Sequence, residues 1–135
     1  MVDFKICIAD PKTGKTYQKE AKDKEATPFV GKNIGDVVKG ELIGMTGYEF
    51  QITGGSDNCG FPMRRGILGA RKKITLAGGV GIRESLNKGI KKKKTICGHK
   101  ISQTIVQINL KPVKDGSKLL SEIFAKPEEK KAEAK

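Results

Sequence analysis

Tryptophan is missing from this 135-residue chain, and five phenylalanines and two tyrosines are its only aromatics. Such a composition fills one modest core, made largely of aliphatic side chains, in a single domain. Cysteine is sparse as well. Cys7, Cys59 and Cys97 form an odd set without CxxC spacing, which fits a reducing compartment better than a disulfide framework. Long apolar runs are lacking, so no helix is expected to span a bilayer. The opening MVDFKICIAD interrupts its apolar residues with Asp3 and Lys5. It has neither the basic nor the apolar region of a signal peptide, and the expectation is a cytoplasmic protein.

Positive charge is what abounds. Lys and Arg number 27 against 15 Asp and Glu, a formal +12 with an isoelectric point near 9.7. Its distribution is lopsided. Between Phe61 and Lys100 lie Arg64, Arg65, Arg71, Lys72, Lys73, Arg83, Lys88, Lys91, Lys92, Lys93, Lys94 and Lys100, opposed only by Glu84, a net +11. The rest of the chain carries +1. Like charges repel, so folding alone does not favour such a segment. A solubility face usually mixes both signs. The better reading is a polyanion partner, because neutralising phosphates releases condensed counterions. A membrane surface fits less well, for no basic amphipathic helix with a bulky apolar face is apparent.

The pattern of residues predicts a mainly β fold. Val2, Phe4, Ile6 and Ile8 alternate with polar positions, as in a half-buried strand. DPKTGK then reads as a turn and TYQKEA as the returning arm of a hairpin. In FVGKNIGDVVKGELIG the expectation is a short helical turn near Ile34 to Val38 and a strand near Glu41 to Gly44. YEFQIT alternates again, a loop opens at Gly54, and RKKITLA and KKKTICG read as strands. TIVQINLKP is a β-branched strand expected to end at Pro112. Fifteen of the 17 glycines fall between Gly31 and Gly98, a density suited to tight corners between short strands. Together these give a small, largely antiparallel, Gly-rich β-barrel over residues 1–112. Residues 113–125 should form a short C-terminal helical extension, capped by Asp115 or Ser117, with Leu119, Leu120, Ile123 and Phe124 on one docking face. Residues 126–135 mix charges with nothing large to bury and read as a disordered tail.

Three chemical motifs each have a plainer reading. ADPKTGKT at positions 9–16 fits a relaxed phosphate-loop pattern, with Gly14 to Thr16 as its nucleotide-gripping end. Asp10 adds an anion to its interior and Pro11 removes an N–H donor, so a hairpin turn is the better reading. Cys97, His99 and Cys59 are too few and too oddly spaced for a structural zinc site, and no metal or other cofactor is expected. His99 is the only histidine and lacks an acidic partner nearby, so nothing builds a nucleophilic active site or a small-molecule substrate site. Asp57 is read as bonding its own backbone to set a turn.

GGSDNCGFPMRRG, residues 54–66, makes better sense as a grip. Pro62 biases Phe61 toward an extended conformation. Phe61 then faces either a base or the core, and both readings stay open. Arg64 and Arg65 fork toward phosphate or pair. KGIKKKKTICGHK supplies a second bank of charge, with His99 positioned to bond phosphate or water.

The stretch GYEFQITGGSDNCGFPMRRG, followed by a basic strand and a lysine run before TICGHKI, resembles small-subunit ribosomal protein six of the archaeal and eukaryotic type. GKNIGDVVKGELIG looks like its archaeal branch. The resemblance covers Met1 to about Phe124, with the family motif on Ile52 to Met63 and its basic continuation on Arg64 to Lys73. It implies a β-barrel bound to small-subunit ribosomal RNA beside neighbouring ribosomal proteins, a structural part of the cytoplasmic ribosome and not an enzyme. A free-standing RNA-binding or ribosome-assembly module is the alternative, and a nucleotide-hydrolysing enzyme a third. Eukaryotic members continue into a long helix and a serine-rich tail. The tail here contains no Ser, Thr or Tyr, so kinase regulation is not carried over.

Overall fold

The alternation at the N-terminus becomes strand β1 (Asp3–Ala9), with Phe4, Ile6 and Ile8 pointing into the core. A computed structural model describes residues 3–83 and 89–125; Val2, Glu84, Lys88 and the expected tail 126–135 lie outside the described residues. β2 (Thr16–Lys22) returns antiparallel to β1. The connecting turn has Asp10 N–H bonded to the Lys15 carbonyl at 2.9 Å, while the Asp10 carboxylate accepts from Lys12 N–H and the Thr13 hydroxyl. The phosphate-loop-like stretch is therefore a self-bonded hairpin turn followed by a strand, where a phosphate loop needs a helix.

The five-stranded sheet has the order β2-β1-β7-β4-β3, where β3 is Val37–Lys39, β4 is Glu49–Asp57 and β7 is Ile105–Lys114. The pairing is antiparallel except between β1 and β7. Three register shifts along β4 and β7 add local twist, and the sheet curls into a half-barrel. Phe50 and Ile52 of β4 and Ile108 and Leu110 of β7 line its inner side with Phe29, Ile43 and Ile101. Among the described residues no helix is long and apolar enough to cross a membrane.

Four local expectations need correction. β4 runs on through Gly54, Gly55, Ser56 and Asp57, residues read as loop. Gly55 permits this because the Gln107 carbonyl comes so near that a β-carbon at Gly55 would sit 2.2 Å from its oxygen. In the 31–44 segment strand and turn exchange places. Val37 and Val38 are β-branched and extended in β3, whereas Gly40–Ile43 forms a 3-10 turn. β7 passes through Pro112 to Lys114. Pairing with β1 stops at Leu110, and Pro112 lies beside a register shift, so the ladder tolerates its missing N–H. Finally, the C-terminal helical turn occupies residues 120–125. Leu120, Ile123 and Phe124 pack inward, with Phe124 stacked 4.8 Å from Tyr17. Leu119 precedes the turn and stays 66% exposed, and Asp115 pairs with Lys12 instead of capping.

Candidate nucleic-acid interface

The basic segment folds as a two-stranded antiparallel ribbon, β5 (Arg71–Leu76) and β6 (Lys92–Cys97). A lone ribbon is marginal in water and needs an anchor. Met63 supplies one. Its N–H donates to the Gly55 carbonyl of β4 at 2.9 Å, and on either side of it Cys97 N–H donates to Pro62 O and Arg64 N–H to Cys97 O. Residues 62–64 thus stitch the half-barrel to β6. Leu76 and Ile96 are buried on one ribbon face, where Gly81 lies beside both and beside Pro62.

At the ribbon's root sits Asp57, the one buried charged side chain among the described residues. One carboxylate oxygen accepts Cys59 N–H and Phe61 N–H, each at 2.9 Å, which sets the turn as expected. The other accepts from the Arg71 guanidinium and from the Cys97 thiol at 3.2 Å. Burial by itself would raise the Asp57 carboxyl. The donors from Cys97, Phe61, Arg71 and Cys59 outweigh it and hold the group below the usual carboxylate range. The same burial, with the Asp57 charge beside it, pushes the Cys97 thiol up to about 11.

The sequence-predicted residues divide by what they touch. Arg71 pairs with Asp57 and lies 5.0 Å over the ring of Phe61, itself partly buried against the core. Arg64 donates to the Gly78 and Val80 carbonyls, both at 3.0 Å. His99 Nδ1 lies 2.7 Å from the Ile67 carbonyl, an oxygen that only accepts, so Nδ1 donates to it. Arg65, Lys72, Lys73, Arg83, Lys91, Lys92, Lys93, Lys94 and Lys100 are exposed, and none of them has a carboxylate within salt-bridge distance among the described residues. Lys88 lies outside the described residues.

The register explains how so many lysines share two strands. Lys72 faces Ile96, Lys73 faces Thr95, and Lys94, Lys93 and Lys92 face Ile74, Thr75 and Leu76. No lysine stands directly opposite another base, which avoids the destabilising like-charge pairing of adjacent strands. The charges alternate between both faces and spread along a ribbon roughly 20 Å long.

Sequence reading missed one contributor. Residues 31–36 come to the ribbon's root, where Asn33 bridges to Lys100 and Gly35 lies beside the Arg65 guanidinium. No local signal marks this, because the pairing joins residues far apart in the chain.

Comparison with known proteins finds archaeal relatives along nearly the whole chain. The small ribosomal subunit protein eS6 of Archaeoglobus fulgidus is 45% identical over 130 residues, covering 95% of this chain and all of that protein. The protein of the same description from Methanocaldococcus jannaschii is 47% identical over 125 residues, 92% of each chain. That from Methanoculleus marisnigri is 42% identical over 129 residues, 95% of this chain and 97% of its own. The family model described as Ribosomal protein S6e matches residues 4–125. This family is structural and not enzymatic, in keeping with a chain whose phosphate-loop-like stretch is a hairpin turn. With the match spanning the half-barrel, the ribbon and the C-terminal turn, the chain belongs to the ribosomal protein S6e family.

Proposed function

We propose that this chain is a structural constituent of the small ribosomal subunit in the cytoplasm, holding ribosomal RNA chiefly by its phosphate backbone and packing beside other ribosomal proteins. The observation that carries the RNA reading is the β5–β6 ribbon: six bases on two strands without an acid, of which only Arg71 has a carboxylate partner among the described residues. Double-helical RNA keeps its base edges in a deep, narrow groove and presents its backbone and a shallow minor groove. A narrow ribbon with lysines on both faces suits that surface, and lysine point charges supply affinity without reading sequence. Arg65, Arg83, Lys91 and Lys100 extend the contact at the ribbon's two ends. Arg71, Phe61 and His99 contribute by shaping its root.

The test neutralises Lys92, Lys93 and Lys94 together as glutamines. Affinity for small-subunit RNA should fall, and the slope of log K against log salt should shrink by roughly 2 to 3 if each lysine meets a phosphate. An unchanged slope refutes the ribbon as the contact. In cells, the unaltered protein should stay with the small subunit through a high-salt wash.

A further inference from the structure

We infer that Arg64 is a positioning residue, which fixes the cationic ribbon by clamping the chain that leaves β5, and that its neighbour Arg65 is the one that meets RNA. The inference rests on the RNA reading given above. Two adjacent arginines have opposite surroundings. Arg65 is exposed. Arg64 is half-buried, its backbone N–H held by the Cys97 carbonyl of β6 and its Nη1 shared between the carbonyls of Gly78 and Val80. One residue therefore grips both the root of β6 and the segment that follows β5.

That segment folds back along the ribbon. Gly81 reaches Ile96, Leu76 and Pro62, and Ile82 N–H closes a turn on the Gly79 carbonyl. The return covers the apolar residues on one ribbon face and leads to Arg83. Gly79 has φ of 90°, and a β-carbon there would lie 3.1 Å from Arg64 Nη1. The turn is thus shaped around the guanidinium, whose hydrogens on Nη1 are spent on backbone carbonyls instead of phosphate oxygens.

Gly79→Ala separates the two roles, because it disturbs the clamp and leaves every charge in place. Amide exchange of the free protein and binding to small-subunit RNA are measured for Arg64→Ala, Gly79→Ala and Arg65→Ala. In the free protein, Arg64→Ala and Gly79→Ala should speed exchange at Ile82 at least about tenfold, while Arg65→Ala leaves it unchanged. On RNA, Arg64→Ala and Gly79→Ala should weaken binding alike, several-fold each. Arg65→Ala should lower the salt slope by about one. Unaltered exchange in Arg64→Ala overturns the clamp. Full affinity in Gly79→Ala beside weak binding in Arg64→Ala overturns positioning and makes Arg64 a direct ligand. Failure of the unaltered protein to bind RNA ends the RNA reading and the positioning role with it, and the exchange arm then reports the clamp alone.

Discussion

Replacing Asp57 separates the two things its carboxylate does. One oxygen holds the N–H groups of Cys59 and Phe61, and the other meets Arg71 and the Cys97 thiol. Asp57→Ala leaves both backbone donors without a partner in a site where the side chain was 1% exposed. Each orphaned donor costs about 1–3 kcal/mol, and partial access of water to the turn brings the total to about 3 kcal/mol. Asp57→Asn keeps the first oxygen and loses only the charged contacts. Arg71 is 39% exposed and can turn to solvent, so the loss is about 1 kcal/mol for the variant. At about 4 °C per kcal/mol for a domain of this size, melting should drop by roughly 12 °C for Ala and 4 °C for Asn. Circular dichroism at pH 7 reads both, since the chain has no tryptophan for fluorescence. The folded carboxyl lies below its ordinary value of 3.8, so its charge stabilises the fold above that pH and ceases to as pH falls through the lower folded value. The gap between the native protein and Asp57→Asn should therefore close on acidification below pH 3.8. Equal losses for Ala and Asn would refute the claim that turn-setting dominates over the ion pair, and a gap that widens in acid would refute the stabilising role of the charge.

Other consequences are simpler to check. Gly55→Ala should destabilise by about 1–3 kcal/mol in urea unfolding, because the new methyl would meet a backbone carbonyl of the central strand β7. Tyr17 has a buried hydroxyl without a hydrogen-bond partner among the described residues. Tyr17→Phe should accordingly hold or gain up to about 1 kcal/mol, and a clear loss would reveal a partner for that oxygen. Timed alkylation at pH 8, followed by mass, should label exposed Cys59 well before buried Cys97, whose thiol is pushed up to about 11. Equal rates would contradict the burial of Cys97.

Sequence alone determined whatever a short window of residues controls. Period-two alternation marked Phe4, Ile6 and Ile8 as an inward row, and turn chemistry at DPKTGK settled hairpin over phosphate loop. The charge count marked residues 61–100 as the basic segment. Tertiary structure decided everything that depends on residues distant in sequence. Gly54 to Ser56 read as loop because glycine is a poor strand former by itself, and only the approach of Gln107 makes its bare backbone an advantage. Pro112 marks a strand end in the local pattern, and only its place beside a register shift lets β7 continue. The same holds for the arginines. Arg64, Arg65 and Arg71 are equivalent as letters, yet one clamps a turn, one faces outward and one balances a buried carboxylate. Local composition sets which charges are present; long-range packing sets which of them are already engaged.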